Sequence, residues 1–149
     1  MGSAVVTVRE ARATDEERLR ELTFESKAHW GYDRDFVRRW ADGFTFESGQ
    51  ERWVAEVDGV IVAWVGLVPP PDGVAVLDDL WVDPGWMRHG LGSRLFHLAA
   101  ARARELGAAR LEWGAERNAL GFYEKMGGRF LHPHVTEWGR RGQWYGMEL

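Results

Sequence analysis

Apolar residues recur along this chain in two rhythms, and the places where one gives way to the other mark its elements. Val5 to Arg9 alternates and predicts a first strand, ending in Glu10-Ala11-Arg12. Thr14 with Glu17 three residues on has the form of a capping box and predicts a helix through Leu19 and Leu22 to about Lys27. The pattern breaks at Ala28-His29-Trp30-Gly31-Tyr32. Asp33 then caps a short second helix with Phe36, Val37, Trp40 and Ala41 on one face. Glu51 to Val57 and Val60 to Val68 read as two strands joined at Asp58-Gly59, the strongest hairpin signal in the chain. The second is almost wholly apolar, which suits a central strand covered on both faces.

Pro69-Pro70-Pro71-Asp72-Gly73 turns the chain into a strand-like run in which Val74 to Leu77 and Leu80 to Val82 flank Asp78 and Asp79. A glycine-punctuated loop follows, Asp83-Pro84-Gly85-Trp86-Met87-Arg88-His89-Gly90-Leu91-Gly92-Ser93. It leads into a helix in which Leu91, Leu95, Leu98, Ala99 and Leu106 recur near helical spacing, with Gly107 at its end. Arg110 to Gly114 predicts a fifth strand. Asn118 caps a last helix with Ala119, Phe122, Tyr123 and Met126 on one face, and Gly127-Gly128 ends it. Arg129 to Leu131 and Gln143 to Leu149 predict closing strands, with the segment around His132, Pro133 and His134 unassigned. A meander followed by strand, helix, strand, helix and strand implies an α/β fold with a mixed sheet and helices on both sides.

The loop carries the chemistry. The first turn of a helix leaves backbone N–H groups without partners and carries the positive end of the helix dipole. Gly90 and Gly92 remove side chains where an anion would approach the backbone, and Arg88 and His89 stand beside it. The loop therefore reads as a phosphate cradle. It is neither a Walker loop, lacking Gly-Lys-Ser/Thr, nor the dinucleotide fingerprint.

Composition narrows the classes. At 149 residues and 45% hydrophobic content, residues 1–149 are expected to form a single domain with a proper core. No apolar run is long enough to span a membrane, and Met1 to Thr7 lacks a signal segment, so a cytoplasmic protein with no membrane partner is expected. The absence of cysteine excludes disulfides, thiolate metal sites and a cysteine nucleophile. A net charge of −4 argues against generic nucleic-acid binding. Nine tryptophans are too many to dismiss: some fill the core, and others are available to line an aromatic pocket. His132 and His134 lack companion ligands at metal-binding spacing, so no metal site is expected.

The run Asp79 to Pro84, then Arg88-His89-Gly90-Leu91-Gly92-Ser93, then Asn118 to Gly127 (Asn-Ala-Leu-Gly-Phe-Tyr-Glu-Lys-Met-Gly) resembles the GCN5-related N-acetyltransferase (GNAT) superfamily. Its specific motifs cover Asp78 to Gly127. The element order extends the likeness from about Val5 to the C-terminus. The resemblance implies a mostly antiparallel sheet of about seven strands with a V-shaped splay, and acetyl-CoA as co-substrate. Backbone groups of Leu80, Trp81 and Val82 would hold the pantetheine arm. The amides of Arg88, His89, Gly90, Leu91, Gly92 and Ser93 would hold the pyrophosphate, with Asn118 near the arm. The family pattern Q/R-x-x-G-x-G/A has Met87 at its first position here, which weakens the electrostatics of the cradle.

The same resemblance implies Tyr123 as general acid for the departing thiolate; spacing alone favours reading Tyr123 as a core aromatic. For a base, Asp79 ranks first, Glu112 second and Asp78 third, since they sit on the strands bordering the expected thioester. Alternation puts Asp78 and Asp79 on opposite faces unless a bulge intervenes. Trp30, Tyr32 and Trp113 are candidates for binding the acceptor, and Trp81 borders the same cleft. The implied function is transfer of acetyl to a primary amine of a small molecule by direct attack in a ternary complex. The rival readings are a protein lysine or N-terminal acetyltransferase, whose open groove bulky Trp30 and Trp138 would close, and a CoA-binding module without turnover. A homodimer is what the family adds to this picture.

Overall fold

The computed structural model describes residues 5–46, 48–136 and 141–149. Trp138, expected beside the cleft, and the residues before Val5 lie outside that description. Seven strands form one sheet in the order β1-β2-β3-β4-β5-β7-β6. They are β1 (Val6–Glu10), β2 (Glu51–Val57), β3 (Val60–Val68), β4 (Val74–Val82), β5 (Arg110–Ala115), β6 (Arg129–Val135) and β7 (Arg141–Glu148). Every neighbouring pair is antiparallel except β4 and β5. The helices are α1 (Glu16–Ala28), α2 (Arg34–Asp42), α3 (Leu91–Glu105) and α4 (Leu120–Lys125).

Local chemistry explains most of these boundaries. Asp58 (φ 51°) and Gly59 (φ 78°) both occupy the left-handed region, as the tight β2–β3 hairpin requires. Asp33 accepts the Phe36 N–H at 3.1 Å and caps α2. Helix α3 ends as its Gly107 predicted: the N–H groups of Gly107 and Ala108 donate back to Arg104 and Ala103, closing a Schellman motif.

Two helix starts differ from expectation. Helix α1 begins at Glu16, and the Thr14–Glu17 box is not what caps it. Asp15 instead accepts the Arg12 N–H at 2.7 Å and the Arg9 guanidinium at 2.9 Å, which folds Ala13–Asp15 into a 3₁₀ turn. Asn118 likewise does not cap α4, because Arg117–Ala119 forms a separate 3₁₀ turn and the cap position falls on Ala119. The unassigned histidine segment belongs to β6. Pro133 is tolerated there because β6 is the edge strand and has no outer neighbour to receive an N–H.

The sheet separates two packed layers. On one face, α3 and α4 cover Ala63, Val65, Leu67, Ala75, Leu77, Leu111 and Trp113. On the other, α1 packs Leu19 and Leu22 against Val54, Ile61 and Trp64. Leu95, wholly buried in the α3 layer, tests this assignment. Leu95→Ala is expected to lower the free energy of unfolding by about 2–5 kcal/mol, read from urea denaturation, with the coenzyme site left intact.

Candidate active site

The parallel pairing of β4 with β5 is short: Val74, Ala75 and Val76 face Arg110, Leu111 and Glu112, and no pairing follows. From Leu77 to Val82, β4 has β3 on one side and, among the described residues, no strand on the other. The sheet is forked there, and β4 keeps an open edge of backbone groups along one arm.

Asp78 and Asp79 stand at the fork. The β3–β4 register shifts between Gly66 and Leu67, which pair with Asp79 and Leu77, so Asp78 is the extra residue of a bulge. The bulge brings both carboxylates to one amide: Gln50 Nε2 donates to Asp78 at 3.1 Å and to Asp79 at 2.8 Å, while Gln50 Oε1 accepts from Arg52. Gly66 makes room for this amide, since a Cβ there would lie 2.5 Å from Gln50 Nε2. Asp79 is 8% exposed and also accepts the Trp81 Nε1–H at 3.0 Å.

The loop after β4 is shaped by backbone. Arg88 (φ 65°) and Gly90 (φ 79°) are left-handed. For a non-glycine residue that conformation is strained, and it turns successive amides toward one side. Arg94 N–H makes the first helical bond, to Gly90 O, so the amides of Leu91, Gly92 and Ser93 at the first turn of α3 lie ahead of the hydrogen-bond ladder. Gly92 packs on the loop's far side, where a Cβ would only touch Phe122 and Val82 at ordinary distances. The His89 ring is turned back, with Nδ1 2.9 Å from Met87 O.

Loop and fork open into one cleft of ≈ 1370 Å³. Tyr123 reaches it from α4, packed between Trp113 (ring centroids 5.2 Å apart) and Phe122 (5.1 Å). Its hydroxyl has no hydrogen-bond partner among the described residues. Burial pushes the phenol's pKa well above its ordinary value, and the carboxylates of Asp79 and Glu116 push it further in the same direction.

Of the residues expected at the site, Asp78, Asp79, Leu80, Trp81, Val82, Arg88, Gly90, Leu91, Gly92, Ser93, Asn118, Tyr123 and Trp30 line this cleft. Others stand elsewhere. Trp113 is 0% exposed in the α3 layer and cannot meet an acceptor. Glu112 is taken up by Arg110 Nε at 3.1 Å and Trp144 Nε1 at 2.7 Å, outside the cleft lining. Tyr32 acts from behind: its hydroxyl donates to Glu116.

Sequence reasoning missed Glu116 and Lys27, which both line the cleft. Lys27 is 3% exposed, donates its ammonium to Glu116 and lies 4.4 Å from the Tyr32 ring centroid. The available signal was a carboxylate at the open end of β5, one residue beyond the strand. His134 and Trp144 of the β6–β7 hairpin complete the opposite wall.

A forked sheet with an exposed strand edge and an amide cradle at a helix start suits a long, phosphate-bearing thioester carrier, and so defines an acyltransferase of the coenzyme A-dependent class. The chain belongs to the acetyltransferase (GNAT) family, whose model matches residues 12–128. That family uses acetyl-CoA. No curated protein matches the chain in sequence. Among solved structures, PaiA N-acetyltransferase from Thermoplasma acidophilum in complex with coenzyme A superposes with a TM-score of 0.82. It shares 16% identity, over 97% of this chain and 99% of its own. The ribosomal-protein-S18-alanine N-acetyltransferase from Escherichia coli gives 0.75, at 18% identity over 97% and 94%. A GCN5-related N-acetyltransferase from Rhodopseudomonas palustris gives 0.82, at 22% identity over 100% and 99%. Among the described residues, no helix is long and apolar enough to cross a membrane.

The loop geometry makes Gly90 the position to test. Gly90→Ala forces a side chain into φ 79°. At about 1–2 kcal/mol for a left-handed alanine, it is expected to weaken coenzyme A binding about tenfold in calorimetric titration.

Proposed function

We propose that this acetyltransferase transfers acetyl from acetyl-CoA to a primary amine of a small molecule, by direct attack within one ternary complex. The observation that carries this reading is the meeting of Tyr123 and Asp79 at the fork: a buried phenol that keeps its proton and a carboxylate beside it, approached from opposite faces of the sheet. The cleft is walled by the α1–α2 segment on one side and by the β6–β7 hairpin on the other, a shape suited to a compact acceptor.

The residues present fit the coenzyme. The first-turn amides of α3 offer donors to its pyrophosphate, and the open edge of β4 from Leu77 to Val82 offers backbone groups to its amide-bearing arm. When bound, acetyl-CoA supplies the thioester. Asp79, held by Gln50 and Trp81, accepts a proton from the incoming ammonium. The amine nitrogen bonds the acetyl carbon as the C–S bond breaks; Tyr123 gives its proton to the sulfur that leaves, and the nitrogen's second proton restores the phenol. A phenol and an alkyl thiol have similar basicity in water, and the raised pKa keeps Tyr123 protonated until the moment of transfer. With no cysteine in the chain, no thiol of the protein can carry the acetyl group between the two substrates.

Tyr123→Phe is expected to lower kcat by about 10²-fold or more, with the KM for acetyl-CoA changed by less than about twofold. Release of free CoA thiol measures both, against no background from the protein. The pH dependence has a definite sign. A raised phenol pKa keeps the acid form in place as pH rises, so the rate is expected to hold on the alkaline side to at least about pH 10. A fall between pH 8 and 9 tracking Tyr123 would overturn its assignment.

A further inference from the structure

Three tryptophans from three different elements line the acceptor side of the cleft: Trp30 after α1, Trp81 on β4 and Trp144 on β7. Their placement follows from the sheet. Trp113 and Ala115 point into the α3 layer, so Gly114 between them points to the other face, and Trp144, paired with Gly114, shares that face. Trp81, paired with Trp64, lies on the same α1 side.

Trp144 is also fixed. Its Nε1–H is held by Glu112, whose other oxygen is held by Arg110. His132 stacks over it at 16° between ring planes, and His134 packs at 5.1 Å. Both rings lie directly over Gly114: a Cβ there would touch the His134 ring at 3.4 Å and the indole at 3.6 Å, ordinary contact distances. Resting on our reading of the chain as a small-molecule amine acetyltransferase, we propose that its acceptor is an arylalkylamine. Its flat aromatic body lies against the Trp144–His134 wall, with Trp30 on the α1–α2 side, and its ammonium points to Asp79.

Charge orients the acceptor this way. The carboxylates lining the cleft, Asp78, Asp79 and Glu116, stand at the fork, and Glu116 is joined there by Lys27. The β6–β7 wall offers His134, Val135, Thr136 and Trp144, with no carboxylate among its described lining residues. A polyamine carries positive charge along its whole length and meets no anionic partner among the described lining residues of that wall. An amine with charge at one end and a neutral ring at the other matches both ends. Trp30 is 47% exposed and would lose water contact against such a ring.

The experiment compares 2-phenylethylamine with 2-cyclohexylethylamine and with spermidine, using the full chain, acetyl-CoA and thiol release. The two ring amines have the same chain and charge and differ in flatness and π character. Phenylethylamine is expected to exceed cyclohexylethylamine about tenfold in kcat/KM, through KM. Trp144→Ala is expected to bring that ratio near one with kcat little changed, while Trp144→Phe keeps most of it. Binding of phenylethylamine to the CoA-bound protein, followed by saturation-transfer NMR, separates the two readings. Trp144-dependent binding without turnover would sustain the aromatic site and overturn the transfer reaction. Equal turnover of both ring amines, preference for spermidine, or no binding of phenylethylamine would overturn the aromatic site, whatever the transfer assay gives.

Discussion

Everything at this site depends on where the β4–β5 pairing stops. Three residue pairs hold the parallel strands together, and after Val76 and Glu112 they part. Before that point the sheet is an unbroken wall between two layers of helices. Beyond it, the wall has a gap through which a phenol on the α4 side and carboxylates on the α1 side reach the same space. The bulge at Asp78 sits on the β4 arm just past the last pair, where the added local twist of a bulge turns a strand away from its neighbour. A longer ladder would satisfy more backbone groups and abolish the site.

The groups at the gap are held by different means. Gln50 and Trp81 donate to Asp79, and the buried ammonium of Lys27 and the Tyr32 hydroxyl donate to Glu116. A carboxylate neutralised by a cation is a poor proton acceptor and a good tie. Lys27 and Glu116 therefore join the end of α1 to the end of β5 and fix the α1 side of the cleft against the sheet. Removing one member of such an ion pair costs more than the pair contributes, because the other is left uncompensated in a half-buried place.

Much of this was legible in the sequence because it is written locally. Hairpin chemistry at Asp58-Gly59, the apolar run of β3 and the glycines of the loop each act within a few residues, and the family resemblance covered the same stretch. What failed was long-range. Lysine on a helix reads as solvated, whereas the buried Lys27 meets Glu116, 89 positions away, and the Tyr32 ring. Alternation cannot tell which carboxylate near the end of β5 faces the gap, and Glu112 proved to be the support of Trp144. Trp113 and Trp144 look alike in sequence; the pairing of Gly114 with Trp144 sends one to the core side and the other to the cleft side. Asn118 has the chemistry of a cap, but a 3₁₀ turn moved the helix start past it.

Trp113 has one more role, which follows from an unmet bond. Its indole N–H is buried without a partner among the described residues, so no hydrogen bond described there explains why an indole stands at this position. Its width does. The ring presses on Gly128, where a Cβ would lie 2.5 Å away, and on the Tyr123 ring, 5.2 Å between centroids. The indole is a spacer between β5 and α4, and its thickness sets how deeply the tyrosine reaches into the gap. The bulk of Trp113, a side chain outside the cleft lining, thus gauges how far Tyr123 reaches into the gap.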